Sequence, residues 1–267
     1  MSVRVGLTLP SFVEDPEIPI AVARAAEAAG LDGVFVFDHL WRGDEPNQRP
    51  ALECFALLGA VAAETTRIQV GTLVARATLR PPATLANCFL TAQRVSGGRL
   101  IAGIGAGDSH SRAENEAFGL DFGTMDDRIT ALHDSVRATK GGDYPVWVGG
   151  RAAPVRQIVA IADGWNGWGG TPDEFAADVA LVREVAPEAT ITWGGLVLTG
   201  ADDAEVDAKA STRTVGPDVL VGRPARLAEQ LREFEARGAE WVILGPIDSA
   251  DPGNAVALAE ARRLLNA

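Results

Sequence analysis

The chain has 267 residues, 47% of them hydrophobic, and a formal net charge of −12 with a sequence pI near 4.7. That length and apolar content suit one large α/β domain with a sizeable core, and they exclude a disordered chain. An acidic sequence without a Lys/Arg run is not suited to nucleic acid or an anionic membrane, so any anionic ligand must be held locally by backbone N–H groups and a few arginines.

Strand and helix patterns alternate along the chain. A strand at 3–9 opens it directly, with no apolar signal segment. No run of about 18 apolar residues follows, so a membrane span is not expected. A helix at 17–29 stops at Gly30, and a nearly all-apolar strand at 33–37 ends in Asp38, His39 and Trp41. A loop runs to Pro50. A helix at 51–64 and a strand at 68–74 come next, then a helix at 81–95 with prolines in its first turn. The glycine-rich strand carries Gly103, Gly105 and Gly107 and ends in Asp108, followed by a long loop to 124. Then come a helix at 125–139, a strand at 145–148 running into Gly149-Gly150-Arg151, and a helix at 152–162. A strand at 163–168 leads to Gly169-Gly170, and Thr171-Pro172-Asp173-Glu174 has the pattern of a helix cap. A strand at 191–198, a polar helix at 202–212, a helix at 224–237, a strand at 241–244 and a helix at 254–265 complete the chain. Eight strands each followed by a helix predict a parallel sheet with helices outside, which at this length is an α/β (β/α)8 TIM barrel in a single domain, 1–267. An open doubly wound sheet is the alternative. Cys54 and Cys88 sit in apolar helical patterns without a CxxC spacing. They read as reduced thiols of a cytoplasmic protein, with no metal site.

A TIM barrel carries its site at the C-terminal ends of its strands. Gly103, Gly105 and Gly107 fall on one face of an extended segment, which fits either close approach of a flat ligand to bare backbone or a crowded barrel interior. The first reading is preferred, because Asp108, Ser109 and His110 follow at the strand end. Asp38-His39 reads equally as an acid/base pair and as a brace for the next loop. Adjacent residues point to opposite sides, so one can face the axis while the other braces. Gly149-Gly150-Arg151 precedes a helix, as a phosphate-binding turn or a plain tight turn does, and Gly169-Gly170 repeats the pattern. Trp147, Trp165 and Trp168 can stack on a ring, although core packing is the commoner fate. His133 reads as solvated or structural. Of Glu114 and Glu116 in the long loop, at least one reads as surface charge.

Several stretches together carry a resemblance. They are V-F-D-H-L-W at 36–41, I-Q-V-G-T-L-V at 68–74, S-G-G-R-L-I-A-G-I-G-A-G at 96–107 and N-E-A-F-G at 115–119. P-V-W-V-G-G at 145–150, A-D-G-W-N at 162–166 and G-R-P-A-R-L-A-E-Q-L at 222–231 complete the set. On these the chain resembles the bacterial luciferase-like superfamily of flavin and deazaflavin enzymes. The resemblance implies a TIM barrel that binds coenzyme F420, or alternatively FMN, at the strand ends. Asp38 and Trp41 would contact the cofactor, with His39 as acid/base and Asp108 as a second catalytic candidate. It implies a non-prolyl cis peptide near Leu73–Val74 beside Thr72, with Gly105 and Gly107 close to the ring. Phosphate would lie on Gly149, Gly150 and Arg151, with Gly169 and Gly170 beside them. The expected activity is hydride transfer between F420 and a small organic substrate. The alternatives are an FMN-dependent monooxygenase and a cofactor-binding protein without catalysis. A homodimer is expected by resemblance alone. Two departures stand out: the region between strands seven and eight is abbreviated, and Asp108 replaces the Glu found in some F420-dependent dehydrogenases.

Overall fold

Apolar runs bounded by glycine and proline turns form eight strands: β1 (Arg4–Thr8), β2 (Gly33–Val36), β3 (Gln69–Thr72), β4 (Leu100–Gly105), β5 (Val146–Gly149), β6 (Gly164–Trp168), β7 (Thr190–Leu198) and β8 (Trp241–Pro246). Each pairs in parallel with the next, and β8 returns to β1 with Arg4 opposite Trp241, so the sheet closes into a (β/α)8 TIM barrel. This computed structural model describes residues 2–43, 49–108 and 111–267, so His110 and Ser109 lie outside the described residues. The helices are α1 (Glu17–Ala29), α2 (Cys54–Glu64), α3 (Pro82–Val95), α4 (Arg112–Ala117), α5 (Met125–Thr139), α6 (Ala152–Val159), α7 (Pro172–Val185), α8 (Asp203–Ser211), α9 (Pro224–Glu235) and α10 (Gly253–Leu265). No helix among the described residues is long and apolar enough to cross a membrane.

All eight expected strands form, and the helical periods fall where the sequence puts them. Several connections hold more structure than expected: Ala75–Arg76 pairs with the end of β4 and Leu220–Val221 with the end of β7, and two loops carry elements of their own. The one after β4 contains α4, and the one after β2 contains a short antiparallel pairing of Trp41–Arg42 with Arg49–Pro50. Both are too short to carry an apolar period of their own.

The barrel axis is filled by Phe35, Ile101, Trp147, Trp241 and Ile243, closed at the upper end by Leu73 and Val74. Ring centroids lie 6.0 Å apart for Phe35 and Trp147 and 5.6 Å for Trp147 and Trp241. A second, larger core lies between the strands and the helices. Rings of this size inside eight strands require small residues opposite them, as in other layered barrel cores. The crowded-interior reading of the glycine run holds for its first two members. A Cβ on Gly103 would run into the Thr72 carbonyl, one on Gly105 into Val74 Cγ2, and one on Gly149 would lie 2.6 Å from Val74 Cγ1. Crowding by the Thr72 carbonyl requires a glycine at 103 and crowding by Val74 requires one at 105 and 149, whereas Gly107 has a positive φ of 76° beside Arg76.

Gly105→Ala should therefore cost about 1–3 kcal/mol, the usual effect of overpacking a filled interior. Combining it with Val74→Ala should recover most of that loss in chemical denaturation, because the two sites share one volume. Strictly additive losses would show that Val74 is not the neighbour that forbids a side chain at 105.

Candidate active site

Past the end of β2 the chain passes through Asp38 and His39 at the C-terminal mouth, and the two side chains leave on opposite sides. Asp38 is buried. Its Oδ2 accepts the Arg76 backbone N–H at 2.8 Å and Arg80 Nη1 at 2.6 Å, and its Oδ1 accepts Arg80 Nη2 at 3.1 Å. The Asp38 carbonyl accepts Arg76 Nε at 2.7 Å. This two-pronged pairing makes Asp38 a strut between β2 and the segment entering α3. Arg80 extends the strut to Glu53, 2.6 Å away, whose side chain also caps α2.

His39 faces the mouth with its side chain 28% exposed, and its Nδ1 lies 2.8 Å from Glu114 Oε1. Glu114 comes from α4 and is buried; its Oε2 accepts the backbone N–H groups of Leu40 at 2.7 Å and Trp41 at 3.3 Å. Behind it, Arg76 Nη1 lies 2.9 Å from Glu114 Oε1 and donates to Asn115 Oδ1 at 3.0 Å, while the buried Arg76 Nη2 has no partner. Burial alone would raise the Glu114 carboxyl. The hydrogen bonds from His39 and from Leu40 N–H, with the Arg76 charge, outweigh it and hold the carboxyl at about 2. Burial pulls the Arg76 guanidinium below its ordinary value, against the charges of Glu114 and Asp38.

An aromatic wall continues from His39. Its ring centroid is 5.6 Å from that of Phe12, Phe12 is 6.1 Å from Phe37, and Phe37 is 6.1 Å from Trp168. Trp168 is 38% exposed, whereas Trp147 and Trp165 are core residues. Trp41 is half-buried with its ring 5.6 Å from Phe118. The Leu73–Val74 peptide is cis, at the position the resemblance implies. Thr72 is buried, and its hydroxyl donates to the Gly103 carbonyl at 2.6 Å. Gly107 sits at the end of β4 beside the Arg76 side chain. Asp108 is exposed and its Oδ1 is taken up by the Ser111 N–H at 3.0 Å and the Ser111 hydroxyl at 3.1 Å, in the turn that starts α4.

The loops after β5 and β6 meet. Gly150 N–H donates to the Asn166 carbonyl at 3.1 Å, Gly169 N–H donates to Gly194 at 2.7 Å, and a Cβ on Gly170 would lie 3.9 Å from Arg151 Nη1. Arg151 is exposed, with Nε 3.6 Å from Asp178 Oδ2. The two helix starts differ. At α7 the capping box of Thr171 and Glu174 takes up first-turn N–H groups, whereas α6 has no side-chain cap. Among the described residues, no group of three or more His, Cys, Asp or Glu side chains is placed to hold a metal ion.

A family model for luciferase-like monooxygenases matches residues 4–142, the half of the chain that supplies Asp38, His39, Arg76 and Glu114. The chain belongs to this luciferase-like monooxygenase family. An F420-dependent glucose-6-phosphate dehydrogenase of Nakamurella multipartita is 35% identical over 190 residues, which are 60% of this chain and 54% of that one. The chain thus spans about half the length of that relative. Among solved structures, an F420-dependent secondary alcohol dehydrogenase in complex with an F420-acetone adduct superposes with a TM-score of 0.83 at 16% identity, covering all of both chains. The oxygenating constituent of 3,6-diketocamphane monooxygenase from Pseudomonas putida, a type II Baeyer-Villiger monooxygenase in complex with FMN, superposes with a TM-score of 0.77 at 14% identity, over 100% of this chain and 98% of that one. At such identities these two likenesses concern the luciferase-like fold.

Sequence reasoning passed over Arg76 and did not single out Glu114 from Glu116. The phase of α4 separates the two glutamates: Glu114 and Asn115 are buried, and Glu116 is exposed beside Arg112. His133 is exposed beside Asp134, in keeping with its solvated reading.

The pH dependence of Glu114 has a definite sign. Its folded value of about 2 lies below the ordinary 4.5, so its contribution is complete above pH 4.5 and is lost as pH falls toward 2. At about 1.4 kcal/mol per unit this amounts to about 3 kcal/mol. Glu114→Gln should lose a comparable stability near neutral pH and show a flatter stability profile than the wild type across that window. Parallel acid-unfolding profiles for the two proteins would remove Glu114 as the source.

Proposed function

We propose that this chain is an F420-dependent oxidoreductase that moves a hydride between the deazaflavin and a small organic substrate, with His39 handling the accompanying proton. The observation that carries the reading is the His39 imidazole at the barrel mouth, braced on a buried carboxylate with its side chain 28% exposed. An imidazole is the side chain best matched to proton transfer near neutral pH. The relatives named F420-dependent glucose-6-phosphate dehydrogenase favour F420 over FMN.

The residues present fit such a cofactor. Trp168, Phe37, Leu73 and Val74 offer an apolar seat for a flat ring, and the uncapped start of α6 offers backbone donors for a phosphate. F420, when bound, supplies two-electron hydride chemistry. The chain's own residues do the rest: His39 Nε2 gives or takes a proton at the substrate, the aromatic wall excludes water, and Asp38 holds the end of β2 rigid through Arg80. The α6 start suits the phosphate better than the α7 start, whose first-turn amides are taken up by Thr171 and Glu174. In a chain of net charge −12, a phosphate needs such a local site.

Titrating the protein with F420 and with FMN while following each chromophore tests the cofactor, and tighter binding of FMN would favour the monooxygenase reading. Binding without turnover across a broad substrate panel would favour a non-catalytic binding protein. His39→Ala should keep F420 affinity within a few-fold and lower the chemical step about 10²–10⁴-fold, the usual weight of a general acid/base. Wild-type kcat in that variant would take His39 out of the mechanism.

The phosphate seat has a separate test. Ala153 is exposed in the first turn of α6, where a carboxylate suits the helix dipole. Ala153→Glu should leave the melting temperature unchanged or raised yet weaken F420 binding about tenfold or more. Undiminished affinity would place the phosphate elsewhere.

A further inference from the structure

We infer that Glu114 is the positioning residue of the site: it fixes His39 in the tautomer with hydrogen on Nδ1, so that Nε2 faces the mouth as a proton acceptor. The inference rests on the reading of His39 as the proton-handling group, and it adds which ring nitrogen does the work and what sets it.

The argument is one of donors and acceptors. Glu114 Oε1 receives Arg76 Nη1 at 2.9 Å, and Oε2 receives two backbone N–H groups, so every described contact of this carboxylate is with a donor. An ionised carboxylate only accepts, so the ring atom 2.8 Å from Oε1 must donate. Nδ1 therefore carries hydrogen. No described residue bonds to Nε2, whose lone pair is left for a ligand in the mouth. Arg76 has a matching part. Its charge keeps Glu114 ionised, so the carboxylate orients the ring without taking its proton. The two backbone bonds from Leu40 and Trp41 tie the carboxylate to the same turn that carries His39, so the ring and its anchor move as one body. Neither of the acids singled out in the sequence does this: the Asp38 carboxylate is held by Arg80 and the Arg76 N–H, and Asp108 Oδ1 by Ser111.

Nitrogen-15 NMR of the imidazole rings tests this on the protein without cofactor. The chain has three histidines, and the His39 signals are those lost in His39→Gln. The expected wild-type pattern near neutral pH is a protonated Nδ1 and a bare Nε2. In folded Glu114→Gln the Nδ1–H pattern should be lost in favour of an Nε2–H form or an averaged ring. A wild-type ring protonated at Nε2 and bare at Nδ1 overturns the inference, as does a full Nδ1–H pattern in the variant. A purely structural role would lower the melting temperature without moving this signature. Should Glu114→Gln not fold, His39→Asn, whose amide can donate from the Nδ1 position, should retain more of the wild-type melting temperature than His39→Gln; equal losses count against the inference. Absence of F420 turnover in the wild type would overturn the functional reading while leaving the tautomer result standing.

Discussion

Two ion pairs, Glu114 with Arg76 and Asp38 with Arg80, joined through backbone groups of residues 38 and 76, hold the mouth of this barrel in one arrangement. Glu114 meets the Arg76 guanidinium, Arg76 Nε donates to the Asp38 carbonyl, and the Asp38 carboxylate accepts the Arg76 backbone N–H and is gripped by Arg80. Removing such charges from water costs several kcal/mol each, and the cost is offset only where the remaining hydrogen-bonding positions are filled with good geometry. Here nearly all of them are filled, the buried Arg76 Nη2 being the exception. The four come from three successive loops, after β2, β3 and β4, so the network exists only when those loops are packed together. Taking out one member of an ion pair leaves its partner short of an opposite charge, and losses within the set should not be additive.

The barrel beneath is the part of the molecule that the sequence states most openly. Strands buried on both faces read as apolar runs, helices as 3.6-residue stripes with a cap at Thr171, and their strict alternation admits few topologies. Asp38 and His39 could be placed at a strand end on the same grounds, including their division into one inward and one mouth-facing residue. What lay beyond reach were facts of tertiary phase and volume. Glu114 and Glu116 are indistinguishable until α4 has a docked face, and no apolar period marks a helix of six residues. The glycines of β4 look alike in sequence whether they face a ligand or a neighbour, and the close neighbours, the Thr72 carbonyl at Gly103 and Val74 at Gly105, are facts of the folded barrel. Arg76 carries no local signal at all, because its partners come from residues 38, 114 and 115.

Charge is distributed unevenly in consequence. The chain as a whole is strongly acidic, and much of the acid near the site is consumed internally: Asp38 by arginine, Glu114 by arginine and backbone amides, and Glu174 by the first turn of its own helix. What the mouth presents is therefore less negative than the composition suggests. The start of α6, without a side-chain cap, lies beside the exposed Arg151.

Trp168 shows how the other side of the mouth is made. Its ring lies where a Cβ on Gly194 would otherwise be, and it leans edge-on against Phe37. Among the described residues no ion pair involves Trp168 or Phe37, and the Arg42 guanidinium lies over the Phe12 ring further along the wall, so exchanging Trp168 would reshape the opening mainly at the price of packing. The two flanks thus differ in how freely they can vary. The ionic flank tolerates change only as a set, whereas the aromatic flank can be altered one residue at a time, and it is there that a lineage could explore new substrates without dismantling the machinery opposite.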